Sequence, residues 1–145
     1  MILYEPPAGV LFGPEVEDYR QAIAAGDPEK ALEIGITKIV GVSREQFELM
    51  RANPMFPVFK ALAPGWVREI QQIEKLGTSL ERYRTIESPV LMLLGTDTSE
   101  SLKNSTAALL RVLKNARVSA LPGEGHGALR TAPELVAQRV REFLS

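Results

Sequence analysis

Between Ser88 and Gly127 the chain carries two apolar runs, and each ends in a polar loop. The first run is entered through Pro89 and closed by Gly95; Thr96-Asp97-Thr98-Ser99-Glu100 follow. A helical segment then reaches about Asn115. The second run, Ala116 to Leu121, opens into Pro-Gly-Glu-Gly-His-Gly. A strand, helix and strand of these lengths predict parallel strands joined by a right-handed crossover. In such sheets functional groups collect in the loops past the carboxyl ends of the strands. Asp97 and His126 are therefore expected at one rim, on neighbouring strands, as an acid–histidine pair. The fold class this predicts is α/β: a short three-stranded parallel sheet with flanking helices and a helical cap.

Composition narrows the chemistry. A length of 145 residues fits one domain, and 45% apolar with 24% charged residues is ordinary for a globular chain. A formal charge of −1 supplies no field for nucleic acid or an anionic membrane. The absence of cysteine excludes disulfides, thiol catalysis and zinc–thiolate sites. His126 is the only histidine, so one chain cannot build a multi-histidine metal site. No cofactor is expected. The opening Met-Ile-Leu-Tyr-Glu-Pro-Pro lacks the pattern of a secretory signal, and no apolar stretch approaches membrane-spanning length. A cytoplasmic location is the default expectation.

Upstream of the two runs, Ile2 to Glu5 reads as a very short strand stopped by Pro6-Pro7, and Ala8 to Pro14 as loop. Residues 15–80 read as helical. Val16, Tyr19, Ala22 and Ile23 share one helix face; Gly26 ends that helix. Asp27-Pro28 and Asn53-Pro54 look like cap-then-proline starts, the first opening a helix to about Val40. Ser43 to Gln46 has capping-box spacing. Pro64-Gly65 predicts a break before a further helix from Trp66 to Leu76, and Thr131 to Glu134 a second capping box before the closing helix. The aromatic residues Phe56, Phe59 and Trp66 are candidates to line an apolar substrate pocket. The alternative is that they fill the cap's own core, as apolar helix faces usually do.

This arrangement resembles the C-terminal portion of an α/β-hydrolase. Ile2 to Pro7 is similar to the strand after the nucleophile elbow, and the helical middle is similar to the lid. Pro89 to Asp97 is similar to the strand and turn of the catalytic acid, Ala116 to Gly127 to the last strand and histidine loop, and Thr131 to Leu144 to the final helix. The resemblance implies a hydrolase acting on small activated esters. The motif Gly-x-Ser-x-Gly does not occur in the sequence. Ser43, in Gly41-Val-Ser-Arg-Glu45, lacks the closing glycine and reads as a helix cap.

Within that frame His126, with glycine on both sides, is the candidate general base. Asp97 is either the acid that orients it or a helix N-cap. Glu5 ends the first strand, where some relatives of this family place their acid, and Glu124 lies two residues from the histidine. Thr96, Thr98, Ser99 and Ser101 read as turn or cap residues. Two functions follow: a minimal hydrolase in which a His/Asp pair activates water, or a truncated, non-catalytic hydrolase domain acting as a binding or assembly module. The expected partners are a small-molecule substrate and a second copy, paired through the open sheet edge or the exposed helices and sheet face. Neither nucleic acid nor a membrane is expected.

Overall fold

A computed structural model describes residues 1–9 and 12–145. The loop expected over 8–14 includes residues 10 and 11, which lie outside the described ones. The chain divides into two compact units, Met1–Val10 with Leu76–Ser145, and Leu11–Lys75.

In the first unit, β1 (Ile2–Tyr4), β2 (Val90–Gly95) and β3 (Ala116–Leu121) form one parallel sheet in the order β1-β2-β3. The register pairs Tyr4 with Leu93, and Gly95 with Leu121. Successive side chains of a strand point to opposite faces. On β2 this sends Val90 and Met92 into one apolar cluster with Leu80, Leu109 and Leu113. Leu91 and Leu93 enter another with Leu121, Ala128 and Val136. A central parallel strand buried on both faces must be apolar at every position, which is why this run is unbroken. The first cluster is roofed by α5 (Glu100–Val112), the second by α6 (Ala128–Thr131) and α7 (Pro133–Leu144). A short 3₁₀ turn, Glu81–Thr85, leads into β2.

The second unit is helical: α1 (Glu15–Ala24), α2 (Pro28–Ile34), a π-helical turn (Gly35–Ile39), α3 (Arg44–Arg51) and α4 (Phe56–Leu76), whose last residue falls in the first unit. Asp27 caps α2 through the Lys30 amide at 2.9 Å. Ser43 and Gln46 form the reciprocal capping box of α3. At the core Tyr19 donates to the Ala63 carbonyl at 2.7 Å and meets Trp66 edge-on, with ring centroids 5.1 Å apart. Gly35 admits this contact because a Cβ there would lie 2.2 Å from the indole.

Four local expectations are corrected. The helix begun at Pro28 does not run regularly to Val40 but changes to the π-turn at Gly35, where the backbone closes on Trp66. Asn53 does not cap a helix at Pro54; its side chain takes the Met55 amide in a turn, and α4 begins at Phe56. Pro64 does not break that helix, which is pinned on either side of it by buried Ala63 and Ile70. Thr131 does not cap α7. It closes α6, its hydroxyl donates to Glu124, and Ala132 stands at the cap position without a side-chain bond.

Candidate active site

The acid–histidine contact forms at the carboxyl end of β1. Glu5 follows the last residue of that strand, and its amide still donates to Leu93 at 3.2 Å. Its φ of +43° is left-handed, the only such value at a non-glycine among the described residues. That conformation costs roughly 1–2 kcal/mol at a residue with a Cβ. The turn takes the Glu5 side chain out of strand alternation and buries it, with 1% exposed.

Three groups meet the Glu5 carboxylate. The Gly95 amide donates to Oε1 at 2.8 Å, the Thr98 hydroxyl donates to Oε2 at 2.9 Å, and His126 Nδ1 lies 2.6 Å from Oε2. With two donors already on the carboxylate, the third contact is best made by Nδ1–H. The proton then sits on Nδ1, and Nε2 keeps a lone pair. The imidazole is 44% exposed while the glutamate side chain is fully buried. A buried carboxylate therefore orients an accessible imidazole, an arrangement that leaves Nε2 able to take a proton.

Asp97 stands elsewhere. It is exposed, and its carboxylate takes the Thr96 hydroxyl at 3.0 Å. The N-cap of α5 is Ser99 rather than Asp97, and the carboxylate that meets His126 is that of Glu5. Its contribution is through the main chain. Its amide donates to the Glu124 carbonyl at 2.9 Å, the Thr96 amide to the Leu121 carbonyl at 3.1 Å, and the Gly123 amide to Thr96 Oγ1 at 2.8 Å. These bonds stitch the loop after β2 to the histidine loop. Gly95 is where they touch: a Cβ there would sit 2.2 Å from the Glu124 carbonyl oxygen.

Tyr4 was not singled out by sequence. Its hydroxyl donates to the Gly125 carbonyl at 2.5 Å and accepts from the Ala128 amide at 3.1 Å. Its ring stacks on His126, with centroids 5.6 Å apart and planes at 13°. Burial pushes its phenol above the ordinary value; the Ala128 amide opposes this, and the charges of Glu5 and Glu124 add to it. The signal that hid it was β alternation, which places consecutive residues on opposite faces. Thr98, a turn or cap residue by its place in the sequence, is buried against the Glu5 carboxylate.

The pocket candidates sit within the helical unit. Phe56 is buried against Phe47, Leu32 and Ala63, with Phe59 packed on the same cluster. Trp66 packs on Tyr19 and Ala31. The large apolar side chains that α4 leaves exposed are Val58, Leu62 and Leu76, with Met55 just before its first turn. Among the described residues, no three metal-ligating side chains cluster and no helix is long and apolar enough to cross a membrane.

No protein-family model and no curated protein matches the chain. Solved structures do. An α/β hydrolase from Sphaerobacter thermophilus superposes with a TM-score of 0.78 at 22% identity, over 99% of this chain and 57% of its own. MGS-M2, an α/β hydrolase enzyme from a Medee basin deep-sea metagenome library, superposes with a TM-score of 0.71 at 15% identity, over 99% of this chain and 55% of its own. The chain thus spans little more than half the length of these hydrolases, and its fold is that of the C-terminal portion of an α/β-hydrolase.

Proposed function

We propose that this chain carries the acid and base of a hydrolase site, with His126 as general base and Glu5 as the carboxylate that orients it. The observation that supports this most is the 2.6 Å contact between buried Glu5 and exposed His126. Of the candidate acids, Glu5 rather than Asp97 fills this role in the proposal. The likeness of the fold to α/β hydrolases favours a small activated ester as substrate. In that fold the serine nucleophile precedes the acid and the histidine in chain order, and its neighbouring amides form the oxyanion hole. These 145 residues have no Gly-x-Ser-x-Gly, so within them the nucleophile is water activated at Nε2.

Hydrolysis of an activated aryl ester tests this. A positioned general base is worth roughly 10²–10⁴ in rate, and losing a single oxyanion donor costs roughly 10²–10³, so a modest rate is expected from the chain alone. His126→Ala should abolish that rate, Glu5→Gln should lower it nearly as far, and Asp97→Asn should leave it unchanged. Equal rates for the wild type and His126→Ala would end the catalytic reading. Loss of activity in Asp97→Asn with Glu5→Gln active would exchange the two acids.

A second reading, an assembly module pairing with a copy of itself, is favoured by the outer side of β1. That side has no strand partner among the described residues.

A further inference from the structure

We infer that Tyr4 is a positioning residue for His126, fixing the plane of the imidazole and holding its loop against the end of β1. This rests on the pairing of Glu5 with His126 and adds a second, independent constraint to it. A single in-plane hydrogen bond at Nδ1 leaves the ring free to swing about that bond. A stacked face removes this freedom, because the ring must also stay parallel to its neighbour. Tyr4 supplies that face at 5.6 Å and 13°, while Glu5 supplies the in-plane bond. Offset stacking at this separation is attractive in its own right.

Two adjacent strand residues do not ordinarily reach one target, since their side chains leave on opposite faces. The left-handed turn at Glu5 is what lets both converge on His126. The strained conformation therefore has a second use beyond burying the acid, in keeping with strain gathered at functional positions. The Tyr4 hydroxyl adds a clamp. It bonds the backbone on both sides of the histidine, at Gly125 and at Ala128, across the loop that carries the base. Ring and hydroxyl thus act on different parts of the same object, one on the imidazole and one on its backbone.

Because His126 is the only histidine, its ring signals in nuclear magnetic resonance spectra of the whole chain are unambiguous. The wild type should show a single tautomer with the proton on Nδ1, and ring protons shifted upfield by the Tyr4 face. Tyr4→Leu should move those protons downfield and mix the tautomers while the β2 amide signals keep their folded positions. Tyr4→Phe should keep the upfield shift but speed exchange of the Ala128 amide about fivefold or more, as loss of one hydrogen bond implies. The inference is overturned if a folded Tyr4→Leu retains the wild-type tautomer and ring shifts. Should Tyr4→Leu fail to fold, wild-type Ala128 exchange in Tyr4→Phe overturns it instead. Failure of this kind leaves the Glu5 pairing standing, since Glu5→Gln alone would still release the tautomer. A mixed tautomer in the wild type would remove the pairing, and this inference with it.

Discussion

Glu5 combines two costs that a residue chosen for stability alone would avoid: a buried carboxylate and a left-handed backbone. The first is offset by the donors that converge on it from Gly95, Thr98 and His126. The second is offset by nothing local, and it gives a test with an unusual sign. In an ordinary strand glycine is less stable than alanine by roughly 0.5–1 kcal/mol. At position 5 the order should invert. Glu5→Ala and Glu5→Gly both orphan the Gly95 amide and the Thr98 hydroxyl, at roughly 1–3 kcal/mol for each buried group. Only glycine relieves the φ of +43°, so Glu5→Gly should be the more stable of the two by about 1 kcal/mol in urea melts. Equal midpoints, or alanine ahead, would mean that the turn carries no strain.

Helix α4 and strand β2 show what the sequence made legible and what it did not. The unbroken apolar run of β2 read correctly because both of its faces are covered. The caps at Asp27 and Ser43 read correctly because a side chain meeting an amide three residues on is a local event. Pro64 misled, because tertiary burial of Ala63 and Ile70 outweighs one lost hydrogen bond. The contact of Glu5 with His126 is illegible for a related reason: a left-handed turn after a strand leaves no mark in residue pattern. The proline gives a prediction. Pro64 is exposed, and a proline inside a helix costs about 3 kcal/mol relative to alanine, so Pro64→Ala should stabilise the helical unit by up to that amount. Fluorescence of Trp66, the single tryptophan, reports that unit's unfolding. A lower midpoint in Pro64→Ala would show that the helix needs a bend there. The same unit should be sensitive to alkali. Burial pushes the Tyr19 phenol up to about 12, and the charge of Glu69 adds to this. Below the unfolded value of about 10 both states are neutral and the Tyr19 contribution is intact. Above it the unfolded chain ionises first, so stability falls as pH climbs and the contribution is lost on passing about 12. Tyr19→Phe should start less stable at neutral pH, lacking the bond to Ala63, and lose less between about pH 10 and 12. An alkaline slope identical to wild type would contradict this.

Across the molecule, the open side of β1 is the feature most consequential for assembly. β2 is covered on both sides, and β3 is paired on one, with Arg117, Val118 and Ala120 exposed along it. β1 meets β2 through the Met1 carbonyl and the Glu5 amide. Backbone groups alternate along a parallel strand, so those of Ile2 and Tyr4 face away from β2. Such an edge is a template for another strand unless a side chain or proline blunts it. A strand bound there would lie beside Tyr4 and Glu5, so an assembly through this edge would adjoin the candidate site. Self-association through this edge should appear as a mass that rises with concentration in light scattering. Ile2→Pro removes an outward amide without touching the bonds to β2, and it should hold the chain at monomer mass while leaving the His126 ring signals unchanged. A monomer mass for the wild type at every concentration would remove the edge-pairing model. Association surviving in Ile2→Pro would move the contact to another surface, with exposed Met55, Val58 and Leu62 the next to substitute.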